Sequence, residues 1–345
     1  MKDCGLIISS GHDSEELQES AEFERTSELR RLTFGESQHG LRLDQALVEL
    51  VPEFSRSYLQ QLIEAGAMTL DRGTPSKASM RVRTGEGGVI ELRPTAQSQA
   101  FKPELMALDI VYEDDHLMVL NKPAGLVVHP APGNWRGTLL NGLLAHDSKA
   151  SHLPRAGIVH RLDKDTSGLM VVARTRSVMD ALVRLIAARE VTRQYLALAH
   201  RTWSGGANRQ VDHPIGRDPR NRLRMAVVDM DRNPGKLART DIELLENCEQ
   251  GCLVRCTLHT GRTHQIRVHM ACVGHALVAD ELYAGPPAAG MARQALHAYR
   301  LAFKHPVTDQ AMRFEAALPE DFSAALRQWG LGYNGAERPN SQPPG

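Results

Sequence analysis

The chain has 345 residues, room for two ordinary domains, with 42% hydrophobic and 24% charged side chains and 41 Lys+Arg balancing 41 Asp+Glu. That composition excludes collagenous and low-complexity classes, and no stretch approaches the ~20 consecutive apolar residues of a membrane span. The five cysteines (Cys4, Cys248, Cys252, Cys256, Cys272) form no Cys-x-x-Cys pair, and the N-terminus carries no export pattern, so a globular cytoplasmic protein with reduced thiols and no membrane partner is expected.

The neutral total hides a gradient: residues 1–40 hold four basic and nine acidic side chains, whereas residues 100–336 hold 29 basic and 24 acidic. An acidic leader on a basic body points to a polyanionic partner, although two differently solvated surfaces would produce the same balance.

In chain order, residues 1–40 are polar, Ser/Glu-rich and aperiodic, and are expected to form a disordered acidic tail. Residues 41–94 read as a small αβ module. Leu43, Ala46, Leu47 and Leu50 recur at helical spacing before Pro52. Ser55 is a suitable N-cap for a second helix carrying Leu59, Leu62 and Ile63 and ending at Gly66, and strands follow at 68–70 and 89–92. Residues 95–100 read as a linker. A hairpin is expected from 110–112 and 117–120, a buried strand at 168–173, a helix marked by Val178, Ala181, Leu182, Leu185 and Ile186, and strands near 195–199, 240–245 and 253–258. Residues 101–325 therefore form one α+β domain, mostly antiparallel sheet with flanking helices, and 326–345 form a C-terminal tail.

Between two apolar strands lies a polar cluster, His160, Arg161, Asp163, Lys164, Asp165, Thr166 and Ser167. On spacing alone it is equally a capped turn with charges paired in solvent. The chain has neither the Walker pattern nor Gly-x-Gly-x-x-Gly after a strand. Cys256, His259, His264 and His269 lack metal-ligand spacing, so no metal site is expected.

HRLDKDTSGL (160–169), followed by TGRTHQIRVHM (260–270) and QALHA (294–298), with NKPAG (121–125) and RQYLA (193–197) in order, resembles the signature set of the RluA-type RNA pseudouridine synthases. The likeness spans essentially residues 100–325, and 41–94 is similar to the S4-type RNA-binding module many members carry. What the resemblance implies is isomerisation of uridine in RNA without a cofactor: the C1′–N1 bond breaks, the uracil turns, and C5 joins C1′. Asp163 corresponds to the catalytic carboxylate, Arg267 to the arginine that holds it, and Tyr195 to the aromatic that stacks on uracil. An aspartate can attack C1′, or take a proton from C2′ on the way to a glycal, only while ionised, and the sequence does not choose between these routes. A nearby arginine keeps it so. The target must leave the stack, and Arg161 corresponds to the residue entering the gap, with His160, Lys122, Arg262 and His264 bordering the substrate. Arg42, Arg56, Ser57 and Lys77 in the module, and Arg217, Arg220, Arg222 and Arg224 in GRDPRNRLR, are candidate phosphate contacts.

The S4-type module and the GRDPRNRLR and RQALHA stretches resemble members acting on helix 69 of 23S ribosomal RNA. The expected partner is thus ribosomal RNA or a large-subunit assembly intermediate, with a monomeric enzyme as default. Transfer RNA, a non-catalytic RNA-binding assembly factor and a glycosidase pairing Asp163 with Asp165 are the alternatives. One departure concerns the Gly-Asp-x-x-Tyr-Gly segment of the family, which here has alanine at both glycine positions, Ala279 and Ala284. Alanine resists positive φ, so either the dihedrals there are ordinary or the turn differs.

Overall fold

The computed structural model describes residues 28–75, 77–93, 100–131, 134–221 and 223–333, and these divide into two compact units, one up to Ala100 and one from Phe101.

The first unit contains β1 (Glu28–Thr33), α1 (Leu43–Leu50), α2 (Arg56–Glu64), β2 (Met68–Leu70) and β3 (Gly87–Leu92), with the strands in the antiparallel order β1-β3-β2. The helix periodicity explains its core: Leu43, Leu47, Leu59 and Leu62 are fully buried together with Met68 and Ile90. Ser55 caps α2 by accepting the Tyr58 N–H, and Gly66 follows that helix at φ 71°, where a side chain would be strained.

β1 corrects the expectation of a tail over 1–40. Its six residues pair along the whole of β3, and Phe34 directly after it is fully buried. The two leucines of ELRRLT, Leu29 and Leu32, are three positions apart and fall on opposite faces of the strand, so no period-2 pattern marked it within the acidic composition around it. Residues 1–27 and 94–99, the remainder of that tail and nearly all of the expected linker, lie outside the described residues; Ala100, the last linker position, is buried.

The second unit begins with the hairpin β4 (Ile110–Glu113) and β5 (Leu117–Lys122), then α3 (Leu139–His146), β6 (Ser167–Ala173), α4 (Arg176–Ala188), β7 (Thr192–His200) and β8 (Asn208–Val211). Three short strands, β9 (Ile215–Arg217), β10 (Met225–Val227) and β11 (Gly235–Lys236), make a separate small sheet with β9 central. β12 (Thr240–Asn247), β13 (Gly251–Leu258), α5 (Gln265–Cys272), β14 (Leu296–Lys304), β15 (Ala311–Glu315) and α6 (Glu320–Gln328) complete it.

The main sheet has nine strands in the order β4-β5-β6-β14-β7-β13-β12-β8, with β15 also paired to β14. All its pairings are antiparallel except β6 with β14, which run parallel. This is the α+β class expected from the strand-rich pattern. Gly168 makes the parallel pairing possible, because a Cβ there would stand 2.2 Å from the Ala298 carbonyl oxygen. One face of the sheet packs Met170, Ala197, Val254 and Leu296 with α3 and α5, and the other packs Leu196, Leu198, Leu253 and Tyr299 under α6.

The expected C-terminal tail from 326 is corrected in part. α6 continues to Gln328, Leu326 and Leu331 are buried, and Trp329 packs beside them, because the amphipathic pattern does not stop at 325. Residues 334–345 lie outside the described residues.

Candidate active site

The polar signature enters β6 as a loop whose backbone is held from several sides. Lys122, at the end of β5, donates from Nζ to the carbonyls of Pro123, Leu126 and Lys164 at 2.8 to 2.9 Å. Arg293 donates to the Asp165 carbonyl at 3.0 Å while its Nε and Nη2 hold Asp321. Gln294 bonds the Thr166 hydroxyl, and the Ser167 hydroxyl shares a 2.9 Å bond with His297 Nδ1. His160 Nε2 accepts the Val171 N–H at 3.1 Å, and burial together with the Arg193 charge pulls its pKa down to about 3, so the ring is neutral. None of these bonds uses the Asp163 carboxylate, which is left to partners outside the loop.

Opposite this loop stands α5. Gln265, at its start, receives bonds from the Thr260 hydroxyl and the Arg262 N–H and donates to the Arg239 carbonyl and Thr240 hydroxyl, which pins the helix to β12. Two residues on, Arg267 Nη1 donates to Asp163 Oδ2 at 3.0 Å. The same guanidinium binds Asp280 through Nε and Nη2 at 2.8 and 2.7 Å and lies 5.0 Å above the Tyr283 ring. Burial would draw the Arg267 pKa down, but the bonds to Asp280 and the charges of Asp280 and Asp163 raise it, so the cation is permanent. The Tyr283 hydroxyl accepts the Met225 N–H and shares a 2.8 Å bond with His264 Nδ1. His264 Nε2 stands 3.9 Å from Asp163 Oδ1; burial holds its pKa below the ordinary value, against the pull of Asp163.

These groups border a cavity of about 610 Å³, in the range of small-ligand sites. Its lining includes Tyr195 on β7, His160, Arg161, Asp163, Arg262, His264 and Arg267, so seven of the expected site residues converge although they span more than 100 positions of sequence. Tyr195 is 5% exposed, and burial pushes its phenol up to about 12, so it is a neutral ring wall. Five arginines and one carboxylate line the cavity, an electropositive interior suited to a polyanion. A carboxylate pinned on one oxygen, a neutral aromatic beside it and surrounding cations can hold a ring and attack, or take a proton from, an adjacent sugar carbon.

Other expected residues are placed elsewhere. Lys122 does not line the cavity: it is fully buried, and its three N–H groups are taken by carbonyls, so it braces the signature loop. Arg42 and Arg56 both donate to Asp44, whose side chain is fully buried, so they first serve to satisfy that carboxylate. Ser57 and Lys77 are exposed. In the basic run, Arg217 ends β9, Arg220 is exposed, Arg224 bonds Asp218 Oδ2, and Arg222 lies outside the described residues.

Sequence reasoning did not single out Asp280, Tyr283 or Arg193. Asp280 and Tyr283 stand in the segment with the two alanine substitutions, and both alanines are in the left-handed region, Ala279 at φ 58° and Ala284 at φ 64°. The turn thus keeps the dihedrals glycine would favour and delivers Asp280 beneath Arg267. Arg193 lies two residues before Tyr195 on the same strand, a spacing that puts both on one face.

The fold and the site together define an RNA-modifying isomerase, and comparison with known proteins gives the family. The RNA pseudouridylate synthase family model matches residues 116–272. The ribosomal large subunit pseudouridine synthase D of Neisseria meningitidis serogroup B is 50% identical over 293 residues, covering 82% of this chain and 77% of that protein. The protein of the same name from Nitrosomonas europaea is 45% identical over 317 residues, 89% of each chain. A solved structure, human RNA pseudouridylate synthase domain containing 4, is similar in fold with a TM-score of 0.52 at 24% identity, covering 65% of this chain and 94% of that one. The chain belongs to the RluA-type RNA pseudouridine synthases.

Proposed function

We propose that this enzyme converts uridine to pseudouridine in large-subunit ribosomal RNA, with Asp163 as the carboxylate that acts on the ribose, Arg267 as its counter-ion and Tyr195 as the wall against the uracil. The observation that carries the reading is the 3.0 Å bond from Arg267 to Asp163 inside a cavity that Tyr195 also lines. A partly buried carboxylate with a permanent cation on one oxygen stays ionised and keeps the other oxygen for the sugar, as either route of the rearrangement requires. Arg161, exposed at the cavity rim, fills the space the everted base leaves, where its planar guanidinium stacks on neighbouring bases.

The ribosomal substrate is supported by the names of the relatives; within it, the helix 69 stem-loop of 23S ribosomal RNA is the target we propose, from the resemblance of the GRDPRNRLR and RQALHA stretches. The first unit serves as an S4-like RNA-binding module that adds affinity, and the enzyme works as a monomer in the cytoplasm.

The test is carbodiimide-blocked primer extension on ribosomal RNA from a strain lacking the protein, complemented with wild type or with Asp163→Asn. One or more stops disappear in the deletion strain, return with wild type and stay absent with the variant. Stops that persist unchanged in the deletion strain would favour transfer RNA or a binding-only role. Restoration by Asp163→Asn would refute the catalytic assignment.

A further inference from the structure

Of the two buried cations that line the cavity, Arg193 and Arg267, Arg193 makes no pair among the described residues. Arg193 is 5% exposed, its Nε is buried without an acceptor, and among the described residues its guanidinium makes no hydrogen bond or ion pair. Burying an unpaired guanidinium opposes folding, and burial accordingly pulls its pKa down. The other cavity cation at this depth, Arg267, is matched by two carboxylates, whereas Arg161 and Arg155 are exposed at the rim. Space has been kept for the Arg193 head: a Cβ at Gly261 would stand 3.0 Å from its Nη1. Arg193 and Tyr195 share one face of β7, about 7 Å apart along the strand, so a ring lying on Tyr195 is within reach of the guanidinium.

We infer that Arg193 is a further catalytic residue, which donates to the uracil carbonyl oxygens and stabilises the negative charge the base carries once it is detached from the sugar. This rests on the reading of the site given above. When the C1′–N1 bond breaks, its electron pair leaves on N1, and the uracil becomes a monoanion with charge spread onto O2 and O4. The ribose is held meanwhile as an ester of Asp163, or as a glycal whose C2′ proton Asp163 has taken. When C5 bonds C1′, the C5 proton is given up and N1 takes one, so mass and charge are conserved. A guanidinium with no pair among the described residues bonds the anionic base more strongly than the neutral one, which is the condition for lowering the barrier. A backbone phosphate is the competing anion, and the exposed Arg155 and Arg161 are the cavity cations open to it.

The experiment uses the full chain and a large-subunit ribosomal RNA transcript that the wild type converts, and measures RNA affinity, the single-turnover rate at saturating enzyme, and melting temperature. Arg193→Met is expected to lose about 100-fold or more in rate, to keep affinity within about threefold, and to melt at or above the wild-type temperature because an unpaired buried charge is gone. Arg193→Lys recovers at least a tenth of the wild-type rate. An unchanged rate in Arg193→Met overturns the inference. So does a lower melting temperature or failure to fold, which would show a structural partner, and so does weaker affinity with a shallower salt dependence at an unchanged saturated rate, which would place the residue on a phosphate. If the wild type itself makes no pseudouridine, the fault lies in the proposed function instead.

Discussion

At the scale of single residues, the site is organised around a guanidinium with three neighbours. Arg267 gives Asp163 one bond and Asp280 two, so Asp280 sets where the third N–H points. Asp280→Asn leaves that fork with a weaker neutral acceptor and lets Arg267 swing toward Asp163, covering the oxygen that should face the ribose. The expected result is a 10- to 100-fold lower kcat with KM changed less than threefold, read from steady-state assays; a rise in KM at unchanged kcat would contradict it. In the first unit, Asp44 shows the same logic in a structural role. Burial alone would raise its pKa, yet bonds from Arg42, Gln60 and Arg56 hold it well below the usual carboxylate range. Asp44→Ala removes the common acceptor of three donors and is expected to destabilise by about 2 kcal/mol, measurable by urea titration.

At the scale of elements, the turn carrying Asp280 is held in place against local preference. Ala279 and Ala284 both occupy left-handed dihedrals that cost an L-residue about 1 kcal/mol each, and Gly285 follows where a Cβ would stand 1.9 Å from the Leu277 carbonyl oxygen. Ala284→Gly should therefore stabilise by roughly 0.5–1 kcal/mol, seen as a rise of a few degrees in melting temperature with activity kept; a lower melting temperature would show that the φ value is not a strain. These elements also show what can be read from sequence. Helices α1, α2 and α4 and the β4–β5 hairpin were legible because each carries its own periodicity, cap or turn. β1 was not, since six residues whose two leucines, Leu29 and Leu32, show no alternation gain their stability from pairing with β3, about 60 positions away. Asp163, Tyr195 and Arg267 were legible through motif resemblance, but Asp280 and Arg193 were not, because a pairing, or the lack of one, inside a cavity exists only after β6, β7 and α5 are assembled. What Lys122 of NKPAG does was not legible for the same reason: expected to border the substrate, it bonds three carbonyls that meet only in the assembled loop.

At the scale of the whole molecule, the cation-lined cavity of the second unit explains why a chain with no net charge can bind RNA: the charge is placed, not accumulated. The same unit keeps histidines neutral. His160 accepts a backbone N–H, and His297 is fully buried with its pKa pulled down to about 4 by burial. Both folded values lie below the ordinary 6.5, so between pH 6.5 and about 4 the unfolded chain binds protons that the folded one refuses. Stability of this unit is therefore complete above pH 6.5 and falls as pH drops, by about 1.4 kcal/mol per pH unit for each histidine. Melting curves from pH 7.5 to 4.5 should show this decline, and His297→Asn should flatten it; a flat wild-type profile would contradict the neutral assignment.

The central claim, that Asp163 acts on the ribose of an everted uridine while Arg267 keeps it charged, is tested most directly by tritium release from ribosomal RNA labelled at C5 of uridine. Joining C5 to C1′ expels that hydrogen, so purified wild type should release label into water. Asp163→Asn should bind the same RNA and release none above background. Release by Asp163→Asn at the wild-type rate would contradict the account.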